Sequence, residues 1–165
     1  MGHKDIREWI KLIEQDGELK RINGADWNLE MGGITEIIYR EGRRPVPALL
    51  YDDIPGYPKG FRTLFGFLAS PRRCARAMNL PVTNEALVVV ENLVKKMRTL
   101  QLIPPKFVEA GPVLDNQLVG EAIDLTKFPS PRHHELDGGR YFGTGHTVIV
   151  RDPDTGWVNL GTYRA

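Results

Sequence analysis

A chain of 165 residues with 41% hydrophobic and 26% charged side chains can build one folded domain with a core and is too apolar to stay disordered as a whole. Its 22 Lys and Arg against 21 Asp and Glu leave a formal charge of +1, so no field of one sign gathers nucleic acid or an anionic membrane, and neither partner is expected. The single cysteine, Cys74, excludes an intrachain disulfide and fits a reducing, cytoplasmic setting; no apolar run has the length of a signal-peptide core or a membrane span.

Asp5 and Glu8 have the spacing of a capping box, which predicts a helix with Ile6, Trp9, Ile10 and Ile13 on one face and Gly17 as its stop. "ELKRI" follows as a short strand. A second helix is predicted from Glu30 to Glu41, with Met31, Ile34, Ile37 and Ile38 inward and Gly42 ending it. "PALLYDDI" reads as a strand, "GYPKG" as a turn and "FRTLFGFLA" as another strand. Ser70 and Pro71 supply an N-cap and a first-turn proline for the short helix "PRRCARAMN". The longest helix is predicted from Asn84 to Gln101, with an inward stripe of Leu87, Val90, Leu93, Val94, Met97 and Leu100, until Pro104 and Pro105 forbid more turns. The fold class is α/β (α+β), helices on a small sheet.

Beyond Pro105 the composition changes. Residues 106–140 read as an irregular connection containing "SPRHHELDGGR", a length that in a compact domain is functional or links domains. "YFGTGHTVIVRD" and "GWVNLGTYR" then form a hairpin around "DPDTG", with Gly156 in the left-handed position. The expected organisation is an amino-terminal α/β domain over 1–105, a connecting segment over 106–140 and the start of a β domain over 141–165. A lone hairpin is marginal, and Val148, Val150, Trp157 and Val158 want a partner, so more chain is expected after Ala165.

The glycines of "DGGRYFGTGH" precede a strand, unlike dinucleotide or Walker loops, and read as turn or bulge glycines, with a phosphate cradle as the alternative. His133, His134, Glu135 and Asp137 raise the question of a metal site. Adjacent extended side chains point apart, however, which favours solvated or capping roles. His146 is expected to face a cavity or the core, and Cys74 to be a packed thiol rather than a nucleophile. In the last strand, Asn159 offers a neutral oxygen for a hard cation, and Arg164 a fixed cation for carboxylate or phosphate. Five positions apart, they fall on opposite faces unless the strand bulges or breaks, with Gly161 the expected place.

The segment "DLTKFPSPRHHELDGGRYFGTGHTVIVRDPDTGWVNLGTYR" closely resembles the UbiD-like decarboxylases, as do "DIREWIKLIEQDGELKRI", "PALLYDDIPGYP" and "LFGFLASPRRCARAM" in the same order. The resemblance implies an amino-terminal α/β domain followed by the first hairpin of a split β-barrel-like flavin-binding domain. It implies reversible decarboxylation of aromatic or α,β-unsaturated carboxylic acids with prenylated FMN, a divalent metal (Mn2+ or Mg2+) and potassium, a flavin prenyltransferase as cofactor supplier, and a homo-oligomer at full length. It places Asn159 as a metal ligand, Gly161, Thr162, Tyr163 and Arg164 along the flavin, and Arg164 in a Glu-Arg-Glu catalytic set. The other ligands and both glutamates would lie beyond Ala165, so this chain alone is expected to be inactive. The alternatives are a short non-catalytic binding or assembly module that docks with a complementary polypeptide, and a nucleotide-binding protein using the glycine-rich turn.

Overall fold

The computed structural model describes residues 3–42, 44–143 and 145–164. Its elements are α1 (Ile6–Gln15), β1 (Leu19–Asn23), α2 (Glu30–Glu41), β2 (Ala48–Asp52), β3 (Thr63–Phe65), α3 (Pro71–Ala77), α4 (Ala86–Arg98), β4 (Thr147–Arg151) and β5 (Val158–Thr162), with short 3-10 turns at Pro112–Leu114, Gly120–Ala122 and Leu125–Lys127. The first three strands form one sheet in the order β1-β2-β3, and β4 and β5 pair separately. The class is mixed α/β, as expected.

Two helix starts, those of α1 and α3, follow the caps read from the sequence. Asp5 accepts the Arg7 and Glu8 amides at 2.9 Å each, which satisfies two of the donors left open in the first turn of α1. The Glu8 amide, followed by the Arg7 side chain, holds the Asp5 carboxyl below the usual carboxylate range. Ser70 caps α3 by accepting the Arg73 amide at 3.1 Å, and Pro71 occupies the first turn, where its missing N–H costs nothing. The Ser70 hydroxyl also donates to Glu18 at 3.0 Å. Ser70→Ala is therefore expected to lower stability by about 1–2 kcal/mol, read as a shift in the urea midpoint at unchanged slope.

The chain divides into two compact units. The first comprises Met1–Lys20, Arg43–Leu49 and Leu64–Lys127. Within it Trp9, Ile13 and Ala48 form a buried cluster flanked by Leu19, Leu64 and Ala77, while Ala75, Leu80 and Val89 form another flanked by Cys74, Met78 and Leu93. Burying Trp9 and Ile13 fully contributes roughly 1.5–3 kcal/mol each. Cys74 is half-buried, its thiol directed to the Leu68 carbonyl at 3.0 Å, consistent with a packed thiol. Arg73 is buried as well, reaching Glu18 Oε2 at 2.9 Å and the carbonyls of Val46 and Gly66 at 2.8 and 3.1 Å.

Three expectations change here. The helix predicted from Asn84 to Gln101 shortens to Ala86–Arg98, and of its predicted stripe Leu87, Val90, Val94 and Met97 are exposed, as is Leu100 beyond its end; only Leu93, half-buried, packs with the buried Val89 against the cluster that includes Ala75 of α3. A narrow edge of the helix meets its neighbour, and the rest of the predicted stripe points elsewhere. The strand predicted over "FRTLFGFLA" shortens to Thr63–Phe65, because Gly66 adopts φ 58° and turns the chain. Ile6 of α1 is exposed at the rim of its predicted face.

The second unit comprises Arg21–Gly42, Leu50–Thr63 and Phe128–Ala165. Met31 and Tyr51 are buried in it, and the Tyr51 hydroxyl lies 3.0 Å from the Met31 carbonyl and 2.8 Å from the Thr35 hydroxyl, so its polar end is satisfied. Burial pushes the Tyr51 phenol above its ordinary value. Of the α2 residues predicted inward, Met31 is buried, Ile34 and Ile38 are half-buried, and Ile37 is exposed. Phe61, Phe128 and Phe142 pack in series, tilted and then edge-to-face, with ring centroids 6.2 and 5.9 Å apart.

Candidate functional site

The site is built on the irregular segment around residues 128–143, held against the start of α2. Leu29 donates its amide to the Arg132 carbonyl at 2.9 Å, and Arg132 donates to the Trp27 carbonyl at 3.0 Å, a parallel bridge with no strand on either side. Leu29 sits at φ 70°, a conformation that costs a branched side chain on the order of 1–3 kcal/mol. One turn on, a Cβ at Gly32 would lie 2.8 Å from Cα and 3.0 Å from the carbonyl carbon of His133. Only a residue without a side chain lets the segment lie this close to the helix.

Two further ties fix the segment. The Arg140 guanidinium lies 3.5 Å over the Trp27 ring and donates to the Tyr57 hydroxyl at 2.6 Å. The Tyr141 amide donates to the Pro131 carbonyl at 3.0 Å, closing the loop between them.

Inside that loop Asp137 turns its carboxylate back to accept the His133 and His134 amides at 3.2 and 3.0 Å. The hydrogen bond from the His134 amide is the main reason its pKa lies below the usual carboxylate range; the Arg164 charge and the His133 amide add to it, against a smaller opposing effect of burial. Burial lowers the His133 pKa, with Asp137 opposing. His134 stands between Glu36 and Asp137, at 3.6 and 3.8 Å. Asp137 has a capping role here, accepting two successive amides of its own loop; among the described residues no three His, Cys, Asp or Glu side chains converge. His146, expected inward, is exposed just before β4.

The hairpin carries the remaining candidates. Its register is unbroken, from Thr147 opposite Thr162 to Arg151 opposite Val158, and Gly156 takes φ 73° in the connection. The break expected at Gly161 is absent. That glycine has a different reason: the Tyr163 ring folds over it, and a Cβ there would lie 2.9 Å from both Cζ and Oη of Tyr163. Asn159, Gly161 and Tyr163 share one face by alternation, and Asn159 Nδ2 donates to Tyr163 Oη at 3.4 Å, which leaves the amide oxygen available to a cation.

Arg164 follows β5 and turns to the other partner set. Its guanidinium lies 3.8 Å over the Tyr141 ring, donates to the Tyr141 hydroxyl at 2.9 Å and stands 3.5 Å from Asp137 Oδ1. Thr162 ends the strand, exposed. The structure thus joins Asn159, Gly161 and Tyr163 in one group and Arg164, Tyr141 and Asp137 in another. Tyr141 was not singled out from the sequence, and Asp137 was weighed as a metal ligand against solvated or capping roles but not as a partner of Arg164; that partnership spans more than twenty positions and leaves no local signal.

Two family models match the chain. The 3-octaprenyl-4-hydroxybenzoate carboxy-lyase N-terminal domain matches residues 10–93, and the Rift-related domain of the same carboxy-lyase matches residues 106–165. The chain is 37% identical to pyrrole-2-carboxylic acid decarboxylase of Pseudomonas aeruginosa, over 97% of this chain and 33% of that protein. It is 29% identical to ferulic acid decarboxylase 1 of Candida dubliniensis, over 96% of this chain and 33% of that protein. The closed form of vanillic acid decarboxylase from Sedimentibacter hydroxybenzoicus superposes with a TM-score of 0.82 at 25% identity, covering 99% of this chain and 35% of the other. The chain spans about a third of the length of the curated relatives it matches. With both the amino-terminal and the Rift-related models matched in order along it, the chain belongs to the UbiD family.

Proposed function

We propose that the chain is the amino-terminal part of a decarboxylase that reversibly removes carbon dioxide from aromatic or α,β-unsaturated carboxylic acids, using prenylated FMN. The observation that carries this reading is the end of β5, which presents an amide oxygen at Asn159 and, beyond the strand, a guanidinium at Arg164 oriented by two partners. The three named relatives act on planar carboxylic acids, and a fixed guanidinium suits such a carboxylate through paired hydrogen bonds.

The donor chemistry fits the implied groups in part. Asn159 supplies one hard oxygen, suitable for Mn2+ or Mg2+, and the described residues hold no cluster to complete the sphere. The remaining ligands, the two glutamates and a potassium site belong in this reading to other parts of the full-length enzyme. Prenylated FMN, when bound, supplies the electron-accepting chemistry for breaking the carbon–carbon bond. Gly161, Thr162 and Tyr163 would border the flavin, with the bare Gly161 backbone letting the Tyr163 ring lie flat. Arg164 would bind and orient the substrate carboxylate and hold neighbouring carboxylates ionised by its charge. Residues 1–105 then act as the amino-terminal domain, 106–140 as the connection and 141–165 as the start of the flavin-binding β domain.

The test uses the full-length protein produced with and without a flavin prenyltransferase, offered pyrrole-2-carboxylate, ferulate and vanillate. Carbon dioxide release is expected only after co-production, none is expected from the 165-residue chain, and Arg164→Ala should lower kcat/KM roughly 100-fold or more. Wild-type turnover by Arg164→Ala, or turnover by the short chain, would sink this reading. A second reading, an assembly module that docks with another polypeptide, draws on the exposed Ile149, Trp157 and Leu160 of the hairpin region. Light scattering separates it: the chain should then form a stoichiometric complex with its partner and no flavin should accompany it.

A further inference from the structure

We infer that Asp137 and Tyr141 are positioning residues for Arg164, a clamp that sets the plane and direction of its guanidinium; this rests on the proposed role of Arg164. A guanidinium has five donors in one rigid plane, and its usefulness to a carboxylate depends on which edge is left open. Here Arg164 Cζ lies 3.8 Å from the centre of the Tyr141 ring, so the ring packs against the guanidinium and restrains its movement. The Tyr141 hydroxyl, at 2.9 Å, and Asp137 Oδ1, at 3.5 Å, both stand nearest one terminal nitrogen, Nη2. Both contacts thus fall on Nη2 among the described residues, and a carboxylate is the group whose two oxygens would match the Nε and Nη1 edge.

The clamp is itself held. Asp137 has only 10% of its side chain exposed, and its second oxygen is fixed by the His133 and His134 amides, so its first oxygen has a set direction. Tyr141 is tied through its amide to Pro131. Those residues belong to the segment that lies on Gly32 of α2 and hydrogen-bonds to Leu29 in its left-handed conformation. Backbone strain and a close approach thus occur where the clamp is anchored, 104 positions away in sequence at the Asn28 to Arg132 contact. A solvated loop needs neither.

The test compares Asp137→Asn, Tyr141→Phe and Arg164→Ala in the full-length, cofactor-loaded protein. Asparagine keeps an oxygen for the two amides and removes the charge facing Arg164; phenylalanine keeps the ring and removes the hydroxyl. Calorimetric binding of benzoate, an unreactive carboxylate, gives a readout independent of turnover. Asp137→Asn is expected to weaken benzoate binding about tenfold and lower kcat/KM roughly 10- to 100-fold, through a raised KM together with a lowered kcat, at unchanged flavin content and Tm. Tyr141→Phe should lose a smaller factor in the same direction. If Arg164→Ala is impaired while both clamp variants bind benzoate and turn over like wild type, the clamp is wrong and the role of Arg164 stands. If clamp losses follow a fall in Tm, Asp137 is structural and the inference is overturned. If Arg164→Ala itself behaves as wild type, the functional reading fails and the clamp falls with it.

Discussion

Arg73→Ala is expected to lower folding stability by about 3–5 kcal/mol, the range for breaking a buried ion pair from one side. The guanidinium is 1% exposed and its partner Glu18 is 11% exposed, so neither end is screened as a surface pair would be. Removing it leaves the Glu18 carboxylate with the Ser70 hydroxyl and with Arg72 Nε at 3.4 Å, and leaves the Val46 and Gly66 carbonyls without their donor. Arg72 is more than a third exposed and reaches neither carbonyl in this arrangement, so it does not replace what is lost. Chemical denaturation of wild type, Arg73→Ala and the double variant Arg73→Met with Glu18→Met measures this. The double variant should recover part of the loss, because an apolar pair leaves no unpaired charge. A shift under about 1 kcal/mol for Arg73→Ala would show that the pair adds no more than an exposed one.

Gly32→Ala is expected to destabilise by about 1–3 kcal/mol, the cost of forcing extra volume into a packed contact, and to reduce activity as well. The sign is the informative part. Within a helix, replacing glycine by alanine ordinarily stabilises by about 1 kcal/mol. Gly33, the next residue, provides the control: a Cβ there meets nothing within 4 Å, so Gly33→Ala should stabilise while Gly32→Ala does the reverse. The obstructing atoms at Gly32 are the His133 backbone, which cannot rotate aside like a side chain. Moving it displaces the Asp137 and Tyr141 supports of Arg164, so kcat should fall with stability. Equal stabilisation by both alanines, read from thermal melts, would mean that the segment is not seated on Gly32.

Much of the fold was legible because its signals are local. The Asp5 cap and the Ser70 cap with Pro71 behind it depend on residues within a few positions. Glycine marked true left-handed positions at Gly17 and Gly156 for the same reason. Most of the stripe predicted for α4 is exposed because periodicity gives the apolar face of a helix and not the neighbour that covers it; of that stripe only Leu93 joins Val89 against the cluster that includes α3. The Gly32–Gly33 pair looked alike in sequence, and only the approach of His133 separates them. At the site, residue chemistry drew attention to Asn159 and Arg164, but alternation supplied the wrong reason for Gly161: a ring from two residues on occupies its side-chain space. The Arg164, Tyr141 and Asp137 grouping joins a strand end to a loop, and no window of sequence contains the turn that brings them together.

The central claim is that β5 delivers its amide and guanidinium to a flavin–metal centre. The most direct measurement is the flavin and metal content of the purified full-length protein, wild type against Asn159→Ala, by visible absorbance and elemental analysis on the same samples. The account predicts that the wild type carries both and that the variant, with unchanged Tm after both are stripped, loses metal and retains flavin weakly. Wild-type content of both in Asn159→Ala would contradict it.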